Sequence, residues 1–506
     1  MRGYYIQIKK KNKMGRTGRK RHHKKLSGMQ KPYKLGADEK MIGLMQWLVR
    51  NGWQKEITLY PTEFPTTGRG LMTKSALNKG DVLVNIPFNL LITAHTVCKS
   101  PIYEYLNENV KYDGHEILAF YLVWEKHLNE QSFWYPYINT LPEQLSTPLF
   151  WSSDPLNLPK FISEAIKGSL SNMKESYRNF LNHIQHKHKK CTHCNQLIIE
   201  IFNETDFIWA WCIVNTRAVY IPLEKNLRNI SNSLALAPYL DLFNHVPSAQ
   251  VEAMLIETQN AYQVKTLVHV GKNEQVFIEY GAHSNLKLLI EYGFTVPNNQ
   301  HDSISLSLED IYNVIKHYFQ ISHVTMSRRK YKFLKKHKLM KNPCLTREGL
   351  CWKTMAIIFI LTSPINNVKL LESKVYPSLY FDNELTIVNT VGSMLVRNKI
   401  KEFKTYIDLF VPAESDQSAV IAYLKECIEV LKVCLQIVIE NMEENGDEIV
   451  SENSSDWNNF IYSFIYYFAS KSRSRISPCS ILTQKLKMFE ISLVEYLYNH
   501  QKQLPK

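Results

Sequence analysis

The stretch of sequence that decides the fold is Glu274-Gln275-Val276-Phe277-Ile278-Glu279-Tyr280-Gly281. Its apolar residues predict a short strand over residues 275–280. Gly281 follows at once, and glycine allows backbone turns that strain other residues. A tyrosine at such a strand end can project its phenol into a cleft. A hairpin with an exposed tyrosine fits the same pattern.

Further short strands are predicted on both sides of a long central segment. Prolines, asparagines and glycines break these runs, as is typical of small β-sheets. Upstream lies a pair of strands, at residues 71–72 and 82–87, with a turn at 78–81 between them. Downstream, residues 251–256 and 262–270 are predicted strands. An amphipathic helix over residues 38–51 precedes them all.

The central segment and the C-terminal part have the apolar spacing of helices. The predicted helices include residues 115–127, 161–183, 419–442 and 480–499. Between the first two lies an aromatic segment, residues 133–149, which we interpret as core packing. An acidic stretch over residues 443–455 is expected to link two helices.

The net charge of +14 is concentrated at the N-terminus. Residues 1–25 contain eleven lysines and arginines and no acid, so +3 remains for the other 481 residues. Such a block of like charges predicts a disordered basic tail, which we assign to residues 1–37. Residues 1–34 could act as a nuclear import signal or contact nucleic acid, and a solvated tail without a partner is the simpler alternative.

The composition narrows the class of protein further. Hydrophobic residues make up 45% and charged residues 21%, the balance of a folded soluble protein. The apolar run at residues 355–361 is far shorter than the roughly 20 residues that span a bilayer, so no membrane helix is expected. No apolar stretch follows the basic N-terminus, so no secretory signal is expected. Nine scattered cysteines indicate free thiols in a reducing compartment.

Four motifs gain meaning from their order along the chain. Each alone is weak, since a Gly-Arg-Gly turn, an arginine near a helix end, an Asn-His pair and a Tyr-Gly pair all occur in ordinary structures. The motifs are Thr67-Gly68-Arg69-Gly70-Leu71, Asn215-Thr216-Arg217, Asp241-Leu242-Phe243-Asn244-His245, and Glu279-Tyr280-Gly281 with Tyr292-Gly293-Phe294. The guanidinium fork of Arg217 suits a carboxylate. Together, over about residues 40–310, they resemble the SET-domain protein methyltransferases, in the branch typified by the Rubisco large-subunit lysine methyltransferase.

The resemblance implies an α+β fold in which short β-sheets are split by a helical insertion. The SET domain would cover residues 38–310, with the insertion at about 100–205. An all-α C-terminal substrate-binding domain would follow, over residues 311–506. Many SET domains have serine after the Asn-His pair, whereas Val246 stands here.

The resemblance also implies roles for individual residues, with S-adenosylmethionine as the co-substrate. The catalytic tyrosine would be Tyr280, expected to align the reacting groups rather than to act as a strong base. The cofactor-binding residues would be Gly68, Arg69, Gly70 and Leu71 in the glycine-rich turn, Arg217, Asp241, Asn244 and His245, and Tyr292, Gly293 and Phe294 near the adenine.

The activity implied is protein-lysine N-methylation, with the tails of histones H3 and H4 and other nuclear proteins as substrates. Two alternatives stay open. One is methylation of a protein histidine, known in the same branch. The other is a non-catalytic chromatin or nucleic-acid binder. We expect a monomer in the nucleus, with the cytosol as a second compartment.

No metal is expected from the sequence. Cys427, Cys434 and Cys479 lack the spacing of the zinc module that ends many histone-specific SET enzymes. A second cluster has residue types that suit zinc: His183, His186, His188, Cys191, His193 and Cys194. It has a single Cys-x-x-Cys without a partner pair, and Lys187, Lys189 and Lys190 would repel a cation. We interpret it as a polar loop.

Overall fold

The computed structural model describes residues 32–35, 38–54, 59–107, 109–151, 158–184, 188–221, 230–231, 234–319, 328–363, 368–376, 382–409 and 417–444. The basic tail up to residue 31, the predicted helix at 480–499 and most of the acidic stretch lie outside these ranges. The chain divides into two compact units. The first contains the described residues up to Ile304 together with Ile400–Val430, and the second contains Ser305–Lys399 and the described residues from Leu431 onward.

The largest sheet belongs to the first unit and has five strands. In their spatial order they are β1 (Tyr33–Lys34), β2 (Leu59–Phe64), β3 (Gly68–Thr73), β13 (Gln275–Ile278) and β10 (Asn244–His245). β3 runs antiparallel to β13, and β10 runs parallel to it. Residues separated by about 200 positions are therefore neighbours in one sheet.

Smaller sheets complete the β-structure of this unit. β11 (Val251–Ile256) and β12 (Ala261–Thr266) form a hairpin, and β12 also pairs with β4 (Val82–Pro87). The two strands predicted at residues 71–72 and 82–87 therefore exist but do not pair with each other. The other strands of this unit are β5 (Ile92–Thr93), β6 (Tyr112–Asp113), β7 (Ala218–Tyr220), β8 (Ile230–Ser231) and β9 (Leu234–Leu236). Strand β14 (Ser303–Ser305) spans the boundary between the two units.

The helices predicted at residues 38–51, 115–127 and 161–183 are present in the first unit. Helix Glu39–Arg50 begins where the carboxylate of Asp38 accepts hydrogen bonds from two backbone N–H groups, and it buries Met41, Leu44 and Leu48. The remaining helices are Ala94–Cys98, Gly114–Leu128, Tyr135–Ile138, Lys160–His183, Ile198–Ile201, Glu204–Arg217 and Asn285–Lys287, which continues as a π-turn over Leu288–Tyr292.

The helical insertion has its own aromatic centre. The rings of Phe120 and Phe207 stack at 4.6 Å, which joins helices Gly114–Leu128 and Glu204–Arg217. Phe180 packs against Phe202 at 5.5 Å. All four side chains are buried. The first of these contacts packs the first turn of helix Glu204–Arg217 against helix Gly114–Leu128, and Arg217 lies at the opposite end of its helix.

The second unit is mainly helical. Its described helices are Leu308–Tyr318, Arg328–Lys336, Trp352–Thr362 and Val368–Val375, with the adjoining parts of Asp382–Leu409 and Gln417–Glu444. Ser307 and Asp310 cap the first of them reciprocally. A small hairpin of β15 (Cys344–Thr346) and β16 (Gly349–Leu350) adds β-structure to the region predicted as all-α. Among the described helices, none combines the length and apolarity needed to cross a membrane.

Candidate active site

The large sheet brings three of the sequence motifs together. Val276 of β13 pairs with Leu71 of β3, and Ile278 pairs with His245 of β10. The side-chain amide of Asn244 donates to the backbone carbonyl of Arg69 at 2.9 Å. Residues 68–71, predicted as a glycine-rich turn, lie in strand β3. This strand, the Asn-His pair and the strand before Tyr280 therefore lie side by side.

Tyr280 is held at two points. Its phenol donates to the backbone carbonyl of Phe243 at 2.7 Å, and its backbone N–H donates to Nδ1 of His245 at 3.0 Å. Burial raises the pKa of Tyr280 well above its ordinary value of about 10, although the positive charge of Arg217 opposes the shift. The phenol is therefore a neutral hydrogen-bonding group near pH 7.

His245 has one defined tautomer. Because Nδ1 accepts from Tyr280, the proton of the neutral ring must be on Nε2. Nε2 is buried and has no hydrogen-bond partner within the described residues. Burial, and next the positive charge of His283, lower the pKa of His245 to about 4. The ring is therefore neutral at physiological pH and offers one free donor.

The pKa of His245 predicts a pH dependence of stability. A histidine whose pKa is lower in the folded state takes up its proton first in the unfolded chain. Its contribution to the free energy of unfolding therefore falls as the pH drops from about 6.5 to about 4, by at most about 1.4 kcal/mol per pH unit. In His245→Asn, the amide oxygen can still accept from Tyr280.

Urea unfolding at several pH values checks this expectation. The wild-type free energy of unfolding should fall more steeply than that of His245→Asn between pH 6.5 and 4. The variant is needed as a control because burial also lowers the pKa of His115 to about 4. His115 contributes equally to the pH dependence of both proteins. Parallel curves would contradict a neutral buried His245.

Arg217 and Asp241 form a buried ion pair. Arg217 ends helix Glu204–Arg217, and its Nη1 lies 3.1 Å from Oδ2 of Asp241. The two side chains are 17% and 2% exposed. Burial is the largest single influence and would lower the pKa of Arg217, but Asp241, Tyr137 and Tyr280 together raise that pKa above its ordinary value. The sequence predicted that the Arg217 fork would suit a carboxylate, and Asp241 is one such partner.

Tyr137 completes this cluster and was missed from the sequence. Its phenol donates to Oδ2 of Asp241 at 3.0 Å, and its side chain is 1% exposed. It belongs to the aromatic segment interpreted as core packing. That interpretation holds for its ring, but the hydroxyl also orients the carboxylate. Nothing in the local sequence separates this tyrosine from its neighbours.

A cavity of about 350 Å³ lies beside these groups. Four tyrosines line it, namely Tyr220, Tyr262, Tyr280 and Tyr292. Arg217, Asp241 and Glu279 provide its charged groups, and Thr216, Val219, Phe243 and Ile278 also line it. An aromatic cavity of this kind can enclose an aliphatic chain and attract a cation at its end.

The predicted site residues divide into two groups around this cavity. Arg217, Asp241, Tyr280 and Tyr292 line it. The others are outside its lining, namely Gly68, Arg69, Gly70, Leu71, Asn244, His245, Gly293 and Phe294. Phe294 lies 6.3 Å from His245 and 6.1 Å from Tyr292, ring centre to ring centre. Gly293 has φ +79°, and an added Cβ would lie 2.5 Å from Ser146.

One member of the second group needs correction. Leu71 was predicted to contact the cofactor, but its side chain is completely buried in the hydrophobic core. Gly70, Met72 and Thr73 of β3 are buried as well, so the protein covers both faces of the strand here. Leu71 can contribute to a ligand site only through its backbone.

Three buried N–H donors fit a polar ligand. Nε of Arg217, Nε2 of His245 and Nε2 of Gln275 are buried and have no hydrogen-bond partner within the described residues. Buried donors are normally paired, and leaving one unpaired costs about 1–3 kcal/mol. A ligand with carboxylate and heterocyclic acceptors would satisfy such donors. Gln275 was not predicted as a site residue, although it opens β13.

Gly70 leaves room for two of the site amides. An added Cβ would lie 2.5 Å from Nε2 of Gln275 and 2.6 Å from Nδ2 of Asn244. We expect Gly70→Ala to displace both amides, destabilise the fold by about 1–3 kcal/mol and weaken cofactor binding. Thermal unfolding and titration calorimetry with S-adenosylmethionine measure the two effects.

Gly168 supplies the matched control for Gly70. It lies in helix Lys160–His183, and an added Cβ would meet nothing within 4 Å. Gly168→Ala should therefore stabilise the protein by about 0.5–1 kcal/mol through helix propensity and leave binding unchanged. Equal effects of the two substitutions would contradict the proposed close packing at Gly70.

Solved structures identify the fold as that of the SET-domain methyltransferases. One is titled the SET domain of LSMT bound to lysine and AdoHcy, and it aligns with a TM-score of 0.56 at 18% identity, covering 81% of this chain and 93% of that one. Another is titled Rubisco LSMT bound to AdoMet, with a TM-score of 0.51, 18% identity and the same coverage.

Curated relatives define the family more closely. The human SET domain-containing protein 4 is 32% identical over 69% of this chain and 78% of its own length. The protein of that name from Artemia parthenogenetica is 28% identical over 77% of this chain and 95% of its own length. The chain belongs to the family of SET domain-containing protein 4, among the SET-domain protein methyltransferases. No family model matches the sequence.

A second group of relatives differs in its named acceptor. The human actin-histidine N-methyltransferase is 29% identical over 60% of this chain. This chain covers 49% of that protein. The resemblance to the histidine-directed enzymes is therefore confined to about half of their length.

Proposed function

We propose that this protein transfers a methyl group from S-adenosylmethionine to the ε-amine of a lysine in another protein. One observation carries the proposal: Tyr280, hydrogen-bonded to the carbonyl of Phe243, lies in the wall of a tyrosine-lined cavity. S-adenosylmethionine supplies an electrophilic methyl group on a sulfonium. Its fit rests on the unpaired donors of Arg217, His245 and Gln275.

The residues of the cavity suit a lysine acceptor. The lysine chain would lie among the rings of Tyr262 and Tyr292, which remove water from it, while Tyr220 lines the same cavity but is mostly exposed. Desolvation favours the neutral amine, whose lone pair must attack the methyl carbon while the carbon–sulfur bond breaks. The phenol of Tyr280 and the carbonyl of Phe243 then hold the amine in line. Such positioning supplies roughly 7–11 kcal/mol in favourable reactions.

The alternative acceptor is a protein histidine, and the relatives named actin-histidine N-methyltransferase favour it. An imidazole is wider than a lysine chain and needs no deprotonation at neutral pH. The chain aligns over more of its length with the SET domain-containing protein 4 relatives, and a solved structure of the same fold is titled as bound to lysine. We therefore place lysine first.

The substrate proposal extends to histones. The tails of H3 and H4 are the candidate acceptors, and other nuclear proteins are further ones. The basic residues 1–34, of which the structure describes only 32–34, could direct the chain to the nucleus or contact nucleic acid. Residues 311–506 would recruit the protein substrate. A monomer would suffice for this chemistry.

Labelled S-adenosylmethionine tests the proposal with core histones, actin and a nuclear extract as acceptors. Mass spectrometry of the labelled product then identifies the modified residue. A methyl-lysine supports the leading proposal, and a methyl-histidine replaces it with the alternative. Absence of labelling together with salt-dependent DNA binding that needs residues 1–34 would favour a non-catalytic binder.

A further inference from the structure

The helical insertion contains a cluster of side chains of the types that bind zinc, outside the methyltransferase motifs. His127 lies in the last turn of helix Gly114–Leu128. Its Nε2 is 3.2 Å from Sγ of Cys194 and 3.6 Å from Sγ of Cys191. The three ligand atoms all lie within 4.8 Å of one another. We propose that Cys191, Cys194 and His127 bind a structural zinc ion, with His193 as the fourth ligand.

The distances fit a single tetrahedral ion. Bonds of about 2.3 Å from zinc to sulfur and about 2.0–2.1 Å to nitrogen place neighbouring nitrogen and sulfur ligands about 3.5 Å apart. The observed separations of 3.2 and 3.6 Å are on either side of this value. The ring centres of His127 and His193 are 6.0 Å apart, at an interplanar angle of 86°. The ring of His193 is exposed and lies beyond the 4.8 Å grouping, so it must change rotamer to bring a nitrogen to the same ion.

The backbone around the two cysteines is shaped for this purpose. A tight turn brings Asn195 N–H to the carbonyl of Cys191 at 2.9 Å, and Cys191 N–H to the carbonyl of Gln196 at 2.7 Å. Asn195 has φ +63°, the left-handed conformation that such a turn requires. The backbone N–H of Gln196 lies 3.5 Å from Sγ of Cys194, where it would stabilise a thiolate.

The local charge is compatible with zinc. Lys189 and Lys190 are exposed, and Lys126 is paired with Asp206 at 2.7 Å. On binding, both thiols lose their protons to solvent, so two thiolates and Zn²⁺ form a neutral centre. Nearby lysines favour the thiolates and do not repel the assembled site. His186 and Lys187 lie outside the described residues.

A zinc ion at this cluster is contrary to the expectation from sequence, which was a polar loop without metal. A single Cys-x-x-Cys needs further ligands, and sequence spacing offered none. His127 lies 64 residues before Cys191 and was seen only as part of an amphipathic helix. The ion would fasten the turn at residues 191–196 to the end of helix Gly114–Leu128, which packs against the helix that carries Arg217.

Zinc content and cobalt spectroscopy of the full chain test the proposal. Purified wild-type protein should contain about one zinc ion per chain. After chelation, added Co²⁺ should give the intense visible bands of a tetrahedral site and thiolate charge-transfer absorption. His127→Gln and Cys194→Ser should weaken Co²⁺ binding by more than about tenfold, a larger loss than most outer-shell changes cause. Cys98→Ser, a free cysteine elsewhere, should match wild type.

Specific results would overturn the assignment. Weak, octahedral Co²⁺ spectra in wild type would exclude the site, and so would His127→Gln binding Co²⁺ as wild type does. An unchanged spectrum and affinity in His193→Ala would remove His193 as the fourth ligand. Removing the metal from wild-type protein with a chelator tests the site even if the variants fail to fold. A melting temperature unaffected by chelation would contradict a structural role.

Discussion

Replacing Tyr280 with phenylalanine is expected to reduce the rate of methyl transfer by about 10²–10³-fold, the usual loss when one preorganised hydrogen-bonding group is removed from a reacting centre. The ring would still fill its place beside His245, whose ring centre is 5.1 Å away. Only the phenol and its hydrogen bond to Phe243 are lost. Single-turnover rates with saturating S-adenosylmethionine measure the effect on the chemical step.

Tyr262→Phe is the matched control for this experiment. Tyr262 lines the same cavity, but its phenol makes only a long contact, 3.4 Å, to the carbonyl of Tyr220. It should keep most of the activity. Binding of S-adenosylmethionine should be retained in both variants. Comparable rates for Tyr280→Phe and wild type would remove Tyr280 from the reacting centre, whatever the acceptor residue.

Arg217→Met is expected to give the largest loss of stability, about 3–5 kcal/mol in the free energy of unfolding. The substitution leaves the carboxylate of Asp241, 2% exposed, with the hydroxyl of Tyr137 as its only side-chain hydrogen-bond partner among the described residues. An unpaired buried charge is costly because water cannot reach it. Urea denaturation measures the loss directly.

A second substitution shows whether the loss of stability comes from the unpaired charge of Asp241 or from the changed shape of the side chain at position 217. Arg217→Met combined with Asp241→Asn removes both charges, and the asparagine can still accept from Tyr137. The double variant should recover most of the lost stability but not the activity, because the free Nε donor of Arg217 is absent in both. Lys174→Met breaks an exposed ion pair with Glu204 and should cost less than about 1 kcal/mol. No recovery in the double variant would contradict a charge-based cost.

Much of the fold was readable from sequence because local patterns fix local structure. The helix after Asp38, the helix ending at Arg217 and the strand before Tyr280 all lie where predicted. The pairing of strands was not readable, and the two strands expected to pair lie in different sheets. Leu71 shows the same limit, because its place in a motif did not reveal that its side chain points into the core.

Several groups of the site belong to residues that are far from the motifs in sequence. Tyr137 reaches Asp241 across 104 residues, and Thr67 donates to the side chain of Gln275 across 208. The acceptor for Tyr280 is the backbone carbonyl of Phe243, a group that every residue has. A backbone carbonyl carries no sequence signal, and its use depends on which strand lies beside it.

The sequence by itself determined the chemistry available to this protein: a tyrosine before a glycine, an arginine at a helix end, an Asn-His pair and a glycine-rich turn, in a recognisable order. Only the tertiary structure decided which groups meet, placing Tyr280 against Phe243, Arg217 against Asp241, and His127 beside Cys191 and Cys194. The physical reason is that side-chain chemistry is fixed by residue type. Contacts across tens or hundreds of residues are instead fixed by sheet register, helix packing and burial.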